Sequence, residues 1–299
     1  MKNSLHYYRN WFLAVRPWSF VMTFFCVTTG SMVGSTCQSF SWFLYVLTLL
    51  GVVLLHGAAN FLNDYYDVAS KVDDAGVATA RYRPHPLAEG SLSLQAVRRA
   101  AVVFILVALV IGLYLTVTRG LTVLVIGLAG LFASVFYTAP PFKYKYSALG
   151  EPAVFIVWGP LVVGGASFVQ GQSLNSETFL VSIPLGILVA LVLLANNIRD
   201  RQSDHARGIH TIPVLAGHNA AVGLYLFLIA AAYTAVALMS FFGPLTPWSL
   251  IVLLSLPYTV NLAREILQAV PIDADARTAG VVTAFGALLL LSLLVERIL

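Results

Sequence analysis

The chain has 299 residues, of which 59% are hydrophobic and only 10% charged, far from the roughly 45–50% apolar and 25% charged make-up of soluble domains. That balance excludes a soluble enzyme and predicts an all-α, polytopic membrane protein. The net charge of +4 lies in short loops, where it acts as a topology signal rather than a nucleic-acid patch, and Cys26 and Cys37 are too few for a disulfide framework or a metal centre.

Nine runs satisfy the requirement of about 20 mostly apolar residues for a spanning helix. They fall at about 17–35, 42–62, 97–118, 121–139, 151–169, 178–198, 219–241, 247–266 and 278–295, and together they form one domain over residues 1–299. Lys2, Arg9 and Arg16 precede the first run as in a signal peptide, but the run is long enough to span and has no small-residue cleavage pattern, so it is read as a retained helix. Gly and Pro soften the boundaries at Pro140-Pro141, Gly159-Pro160 and Pro257, kinks that a bundle tolerates.

Lys and Arg in the loops set the orientation. With the N-terminus cytoplasmic, only Arg119 and Arg297 of the 17 Lys and Arg residues fall outside, and only Glu177 and Glu296 of the acids. The long connections, 68–95 and 201–218, are cytoplasmic as well. Candidate chemistry is therefore placed on the cytoplasmic face of the cell's inner membrane, as suits a protein working on one side of the bilayer.

The second run ends in Asn60-Phe61-Leu62-Asn63-Asp64-Tyr65-Tyr66-Asp67. An Asp at the end of a membrane helix is costly and is a functional candidate by default. His56, Asn60, Asn63/Asp64 and Asp67 recur at steps of three and four, so they form one stripe. The sixth run ends in a matching stripe, Asn196, Asp200 and Asp204, with Asn197 beside it. Two such stripes on facing helices offer hard oxygen ligands. These suit magnesium, which binds through one or two carboxylates and completes its shell with water and substrate phosphates. The pattern predicts a diphosphate site, with Asp73 or Asp74 able to close it from the loop. Interfacial capping is the plainer reading of any one of these acids, but not of two clusters of the same chemistry on one face. For His56 a buried, hydrogen-bonded structural role is at least as well supported as a site role.

Lys and Arg are the expected counter-charges of a diphosphate. Among those near the acids, Lys145, in the loop Tyr137-Thr138-Ala139-Pro140-Pro141-Phe142-Lys143-Tyr144-Lys145-Tyr146, and Arg199 are preferred.

At these residues the chain resembles the UbiA-type superfamily of intramembrane aromatic prenyltransferases. The likeness covers Arg16-Pro17-Trp18-Ser19-Phe20, Asn63-Asp64-x-x-Asp67 with Asp73, and Arg83-Pro84 through Glu89-Gly90. It continues in Tyr137 to Pro141, in Leu149-Gly150-Glu151, and in Asn196-Asn197-Ile198-Arg199-Asp200-x-x-x-Asp204 with Gly208 and Thr211. The Leu-Gly-Glu stretch and the second acidic motif are most similar to the dihydroxynaphthoate branch of menaquinone synthesis. That branch usually has Gly-Lys-Arg-Thr where this chain has Gly208-Ile209-His210-Thr211.

The resemblance implies a nine-helix bundle and a Mg2+-dependent transfer of a polyprenyl group from its diphosphate to an aromatic acceptor, dihydroxynaphthoate or, alternatively, hydroxybenzoate or a related quinone precursor. Asn63, Asp64, Asp67, Asp73, Asp200 and Asp204 would hold the metal, with Asp64, Asp67, Asp200 and Asp204 catalytic. Asn63, Asn197, Lys145, Arg199 and Tyr137 would bind the diphosphate. Tyr65, Tyr66, Phe136, Tyr137 and Trp158 are candidates to line the path of an allylic cation. Two competing classes fit less well. A phosphatidyl-alcohol transferase needs Asp-Gly where this chain has Asp67-Val68, and an ion-coupled transporter would place its acids near the midplane, with an internal repeat.

Overall fold

The computed structural model describes residues 2–36, 38–70 and 84–298. Asp73 and Asp74, with Lys71, Arg81, Arg83 and Cys37, lie outside the described residues. An N-terminal helix, Lys2–Val15, is followed by a single 3-10 turn, Pro17–Ser19. The bundle helices are α1 (Phe20–Val33), α2 (Trp42–Ala69), α3 (Leu94–Arg119), α4 (Leu121–Phe136), α5 (Gly150–Gly171), α6 (Ser176–Ala206), α7 (His218–Phe242), α8 (Pro247–Gln268) and α9 (Ala274–Ile298). Among the described residues, eight helical segments are long and apolar enough to cross a membrane, the first being His6–Val33 taken as one. The fourth predicted run, α4, is the remaining one, a shorter apolar helix.

Helix starts follow local chemistry. Ser41, Ser93 and Asn175 each cap a helix with a side-chain oxygen, accepting from Leu44, Ala96 and Thr178 N–H, which meets one of the orphan donors of a first turn. Around Pro160, which has no N–H to give, α5 widens into a π-type turn over Val157–Val163. The N-terminal helix breaks at Arg16, which precedes Pro17 and takes a left-handed conformation, φ 57° and ψ 57°, because a following proline disfavours the right-handed helical region.

The most buried span is α6, with 72% of its apolar window inside the protein against 22% for α3. Leu185, Leu188, Leu191 and Leu194 of α6 pack with Phe25 of α1, Tyr225 of α7 and Phe285 and Leu289 of α9 in the main apolar core. A second cluster joins Phe61 and Leu62 of α2 to Val97 and Ala101 of α3. Large apolar side chains such as Val103, Val110 and Val117 of α3 cover the outside, as a lipid-facing surface requires.

Packing inside the bundle relies on small residues and paired hydroxyls, as in membrane helices generally. A Cβ on Gly30 would stand 2.2 Å from the Val163 carbonyl oxygen, so α1 and α5 touch backbone to backbone. The Tyr233 hydroxyl meets Ser255 at 2.6 Å and Thr259 at 2.8 Å.

Two helices run past their expected ends. Both α2 and α6 continue beyond about 62 and 198 to Ala69 and Ala206, so the acidic motifs lie on regular helix. Hydropathy marks where the lipid-compatible run stops, whereas the backbone hydrogen-bond ladder is closed within the helix and continues into the polar turns. In contrast, α4 stops at Phe136, before the Pro140-Pro141 turn.

Candidate active site

The two acidic motifs face one cavity of about 800 Å3. His56, Asn60, Asn63 and Asp67 of α2 line it, and Asn196, Asn197, Asp200 and Asp204 of α6 line it across the way. The stripes read from the sequence are thus one polar end of one space. The other end is apolar, reaching Thr48 on α2, Leu115 on α3, Val123 on α4 and Val169 on α5. At 1.5 Å per residue the distance along α2 from Asp67 to Thr48 is about 28 Å, close to the thickness of a bilayer's hydrocarbon core.

Asp67 is fully buried and is held by the loop after α4. Lys145 Nζ lies 2.6 Å from Asp67 Oδ2 and 2.7 Å from Asn63 Oδ1, and the Tyr146 hydroxyl donates to Asp67 Oδ1. The loop is shaped for this. Lys143 takes a left-handed φ of 36°, a 3-10 turn follows at Tyr144–Tyr146, and the Lys145 N–H donates to the Tyr137 carbonyl at 2.9 Å.

Asp64 does not line the cavity. It is one residue, and so about 100° of helix, round from Asn63, and it is 2% exposed. Arg16 ion-pairs with it, and His85 Nε2 stands 3.6 Å from the same oxygen. Arg16 itself lines the cavity.

Arg16 is positioned by a small network on α2. The Ser19 hydroxyl donates to the Arg16 carbonyl at 2.7 Å, so its oxygen must accept elsewhere, from Asn60 Nδ2 at 3.3 Å and from His56 Nε2 at 3.2 Å. His56 therefore carries its proton on Nε2, and Nδ1 accepts from the Thr23 hydroxyl at 2.9 Å. Asn60 also donates to the Val15 carbonyl at 2.9 Å. With both nitrogens engaged, His56 is a neutral anchor between α1 and α2, the structural alternative left open by the sequence.

On α6 the preferred basic residue has a different place from the one expected. Arg199 is 5% exposed and is not in the cavity wall. It donates to both oxygens of Asp200 at 2.8 and 2.7 Å, to Asp275 Oδ1 at 2.7 Å, to Asn196 Oδ1 at 2.7 Å and to the Ile272 carbonyl at 3.0 Å. It holds the acidic motif in place and ties it to the start of α9. Arg207, in contrast, lines the cavity. Asn197 is fixed from behind by Glu151, which accepts its Nδ2–H at 3.0 Å.

Of the candidate aromatic residues, Tyr137 and Trp158 line the cavity and Tyr65, Tyr66 and Phe136 do not. Tyr65 packs on Tyr66, and Phe136 on Phe132 and Phe142. Five residues at the site were not singled out for it: Arg16, His85, Glu151, Asp275 and Tyr146. Arg16, His85, Glu151 and Tyr146 stood in recognisable stretches, but nothing local marks any of the five as a partner of the acids.

Among the described residues no three His, Cys, Asp or Glu side chains converge tightly enough to hold a metal by themselves. What the cavity does present is hard oxygen from Asn63, Asp67, Asn196, Asp200 and Asp204 on two walls. Such a set fits magnesium when a substrate's phosphate oxygens complete the shell.

Tyr146 offers a direct test of how Asp67 is held. Burial, and then the adjacent Asp67 carboxylate, push its hydroxyl above the ordinary value of 10.0. A raised value means that its hydrogen bond is fully present up to about pH 10 and is lost only as pH rises through the raised value beyond it. Tyr146→Phe removes a hydrogen bond to a charged group, about 1.5 kcal/mol, and is expected to lower turnover about tenfold. The pH–rate profile below pH 10 should keep its shape, and steady-state rates from pH 6 to 10 check both points.

Comparison with known proteins places this geometry. Residues 23–289 match the model of the UbiA prenyltransferase family. The chain is similar to 1,4-dihydroxy-2-naphthoate octaprenyltransferase of Bacillus subtilis, 30% identical, with 94% of this chain and 91% of that relative covered. It is also similar to the enzyme of the same name from Escherichia coli, at 26% identity, covering 86% of this chain and 85% of that one. Among solved structures it is similar in fold to a UbiA homolog from Archaeoglobus fulgidus bound to DMAPP and Mg2+. The TM-score is 0.66 at 18% identity, over 94% of this chain and 99% of that one.

Proposed function

From the premise that the chain belongs to the UbiA prenyltransferase family, and is a membrane prenyltransferase, we propose that it moves a polyprenyl group from its diphosphate to dihydroxynaphthoate, a step of menaquinone synthesis, at the cytoplasmic face of the inner membrane. The observation that carries this reading is the single cavity with acidic stripes from α2 and α6 at one end and an apolar lining that reaches Thr48, Leu115, Val123 and Val169 at the other. A diphosphate suits the first and an isoprenoid tail the second. The names of the Bacillus and Escherichia relatives support the acceptor. Gly208-Ile209-His210-Thr211 departs from the naphthoate pattern, which makes hydroxybenzoate-like acceptors the comparison to run.

Asn63, Asp67, Asp200 and Asp204 would hold magnesium against the donor's diphosphate, with Asp64 behind Arg16 and Asp73 as further ligands. Bound magnesium offsets the negative charge that gathers on the leaving group. Lys145 donates N–H to the departing diphosphate as the allylic C1–O bond breaks and the electron pair leaves with the oxygen. Asn197, held by Glu151, adds a neutral donor on the opposite wall. Tyr137 and Trp158 keep water from the allylic cation and turn aromatic faces to it. The acceptor ring then forms the new C–C bond at C1, and its carboxylate departs as carbon dioxide.

Purified protein given Mg2+, a labelled polyprenyl diphosphate and dihydroxynaphthoate is expected to release diphosphate and form a prenylated naphthol. A panel of aromatic acids run beside it ranks the acceptors. No turnover with any of them would overturn the reading.

A further inference from the structure

The first motif is already neutralised by the protein itself, and in a way that blocks its own ligands. Asp64 is buried and off the cavity wall, whereas its partner Arg16 is on the wall and covers it. Lys145 Nζ sits on Asn63 Oδ1 and Asp67 Oδ2 together, on oxygens that a divalent cation would need. An ammonium and a divalent cation cannot share those oxygens without strong repulsion in a poorly solvated site.

We propose that Arg16 and Lys145 exchange partners during loading. In the donor-free protein they hold Asp64 and Asp67, and they swing onto the diphosphate when donor and metal arrive together. This rests on the prenyltransferase reading.

The arrangement suits such a movement. The carboxylates are fixed on regular helix α2, whereas the Arg16 and Lys145 side chains are 18% and 20% exposed at the cavity. The Arg16 backbone is pinned through Ser19 to His56 and Asn60, so only its side chain need turn. A diphosphate carries more negative charge than one carboxylate and offers the fork-like acceptor that a guanidinium matches. Charge is balanced in both states, with protein cations on carboxylates before loading and metal on carboxylates and protein cations on phosphate afterwards. A buried site avoids an uncompensated charge throughout. It follows that metal binds poorly alone and tightly with the donor.

The test is Mn2+ binding by the full chain in detergent, followed by the electron paramagnetic resonance signal of free Mn2+ with no acceptor present. Arg16→Gln and Lys145→Gln are each expected to bind Mn2+ alone at least about tenfold more tightly than the unaltered protein, because a competing cation is gone. Each should bind geranyl thiolodiphosphate at saturating Mn2+ at least about tenfold more weakly. Unchanged or weaker Mn2+ binding in either variant overturns the exchange for that residue, as does unchanged affinity for the thiolodiphosphate. The two ion pairs are separate, so if one variant fails to accumulate the other still decides. An unaltered protein that turns over while its variants bind Mn2+ no tighter overturns only the exchange. An unaltered protein inactive with every acceptor overturns the function instead, and leaves the Mn2+ titration readable.

Discussion

Asp67→Ala is expected to lower turnover at saturating donor roughly a thousandfold while the protein still inserts into the membrane. Removing one well-placed electrostatic group from an active site typically costs a hundred- to a thousandfold, and Asp67 has two further duties here. It holds Lys145 at 2.6 Å and receives the Tyr146 hydroxyl, so its loss also frees the loop after α4. The apolar faces that drive insertion are untouched, because Asp67 lies within the last turn of α2. Single-turnover rates with labelled donor, and membrane extraction of the variant, check the two halves of this expectation. Near-full activity would show that the metal site is elsewhere.

Arg199→Met is expected to act on stability first and on activity as a consequence. It leaves Asp200 and Asp275 facing each other without their shared guanidinium, and breaking a buried ion pair from one side costs about 3–5 kcal/mol. Because the two carboxylates are 19% and 18% exposed, the lower end, about 3 kcal/mol, is expected. Denaturant unfolding in detergent measures it. Arg199→Lys should recover only part, since a point charge cannot bridge two carboxylates and an amide as a planar fork does. Equal stability of Arg199→Met and the unaltered protein would contradict the clamp.

Much of the fold was legible because the bilayer imposes a length and a composition on each span. The predicted runs recur as helices at nearly the same positions, and the stripes of α2 and α6 do line one cavity. What could not be read were the partners. Arg16 meets Asp64 across 48 residues, Tyr146 meets Asp67 across 79 and Arg199 meets Asp275 across 76, and no local pattern announces contacts of that span. Arg199 and Lys145 look alike as basic residues beside acids. Only packing shows that one is buried in a brace while the other stands on the cavity wall. His56 is similar in kind, for its two nitrogens are engaged by Ser19 of the 3-10 turn and Thr23 of α1.

The most direct test of the central claim is a structure of the protein with Mg2+ and a polyprenyl thiolodiphosphate. The diphosphate should lie between Asn63 and Asp67 on α2 and Asn196 and Asp200 on α6, metal-bridged to Asp67 and Asp200, with the tail running toward Thr48 and Val123. A diphosphate bound away from this cavity, or one that neither Asp67 nor Asp200 reaches through a metal, would contradict it.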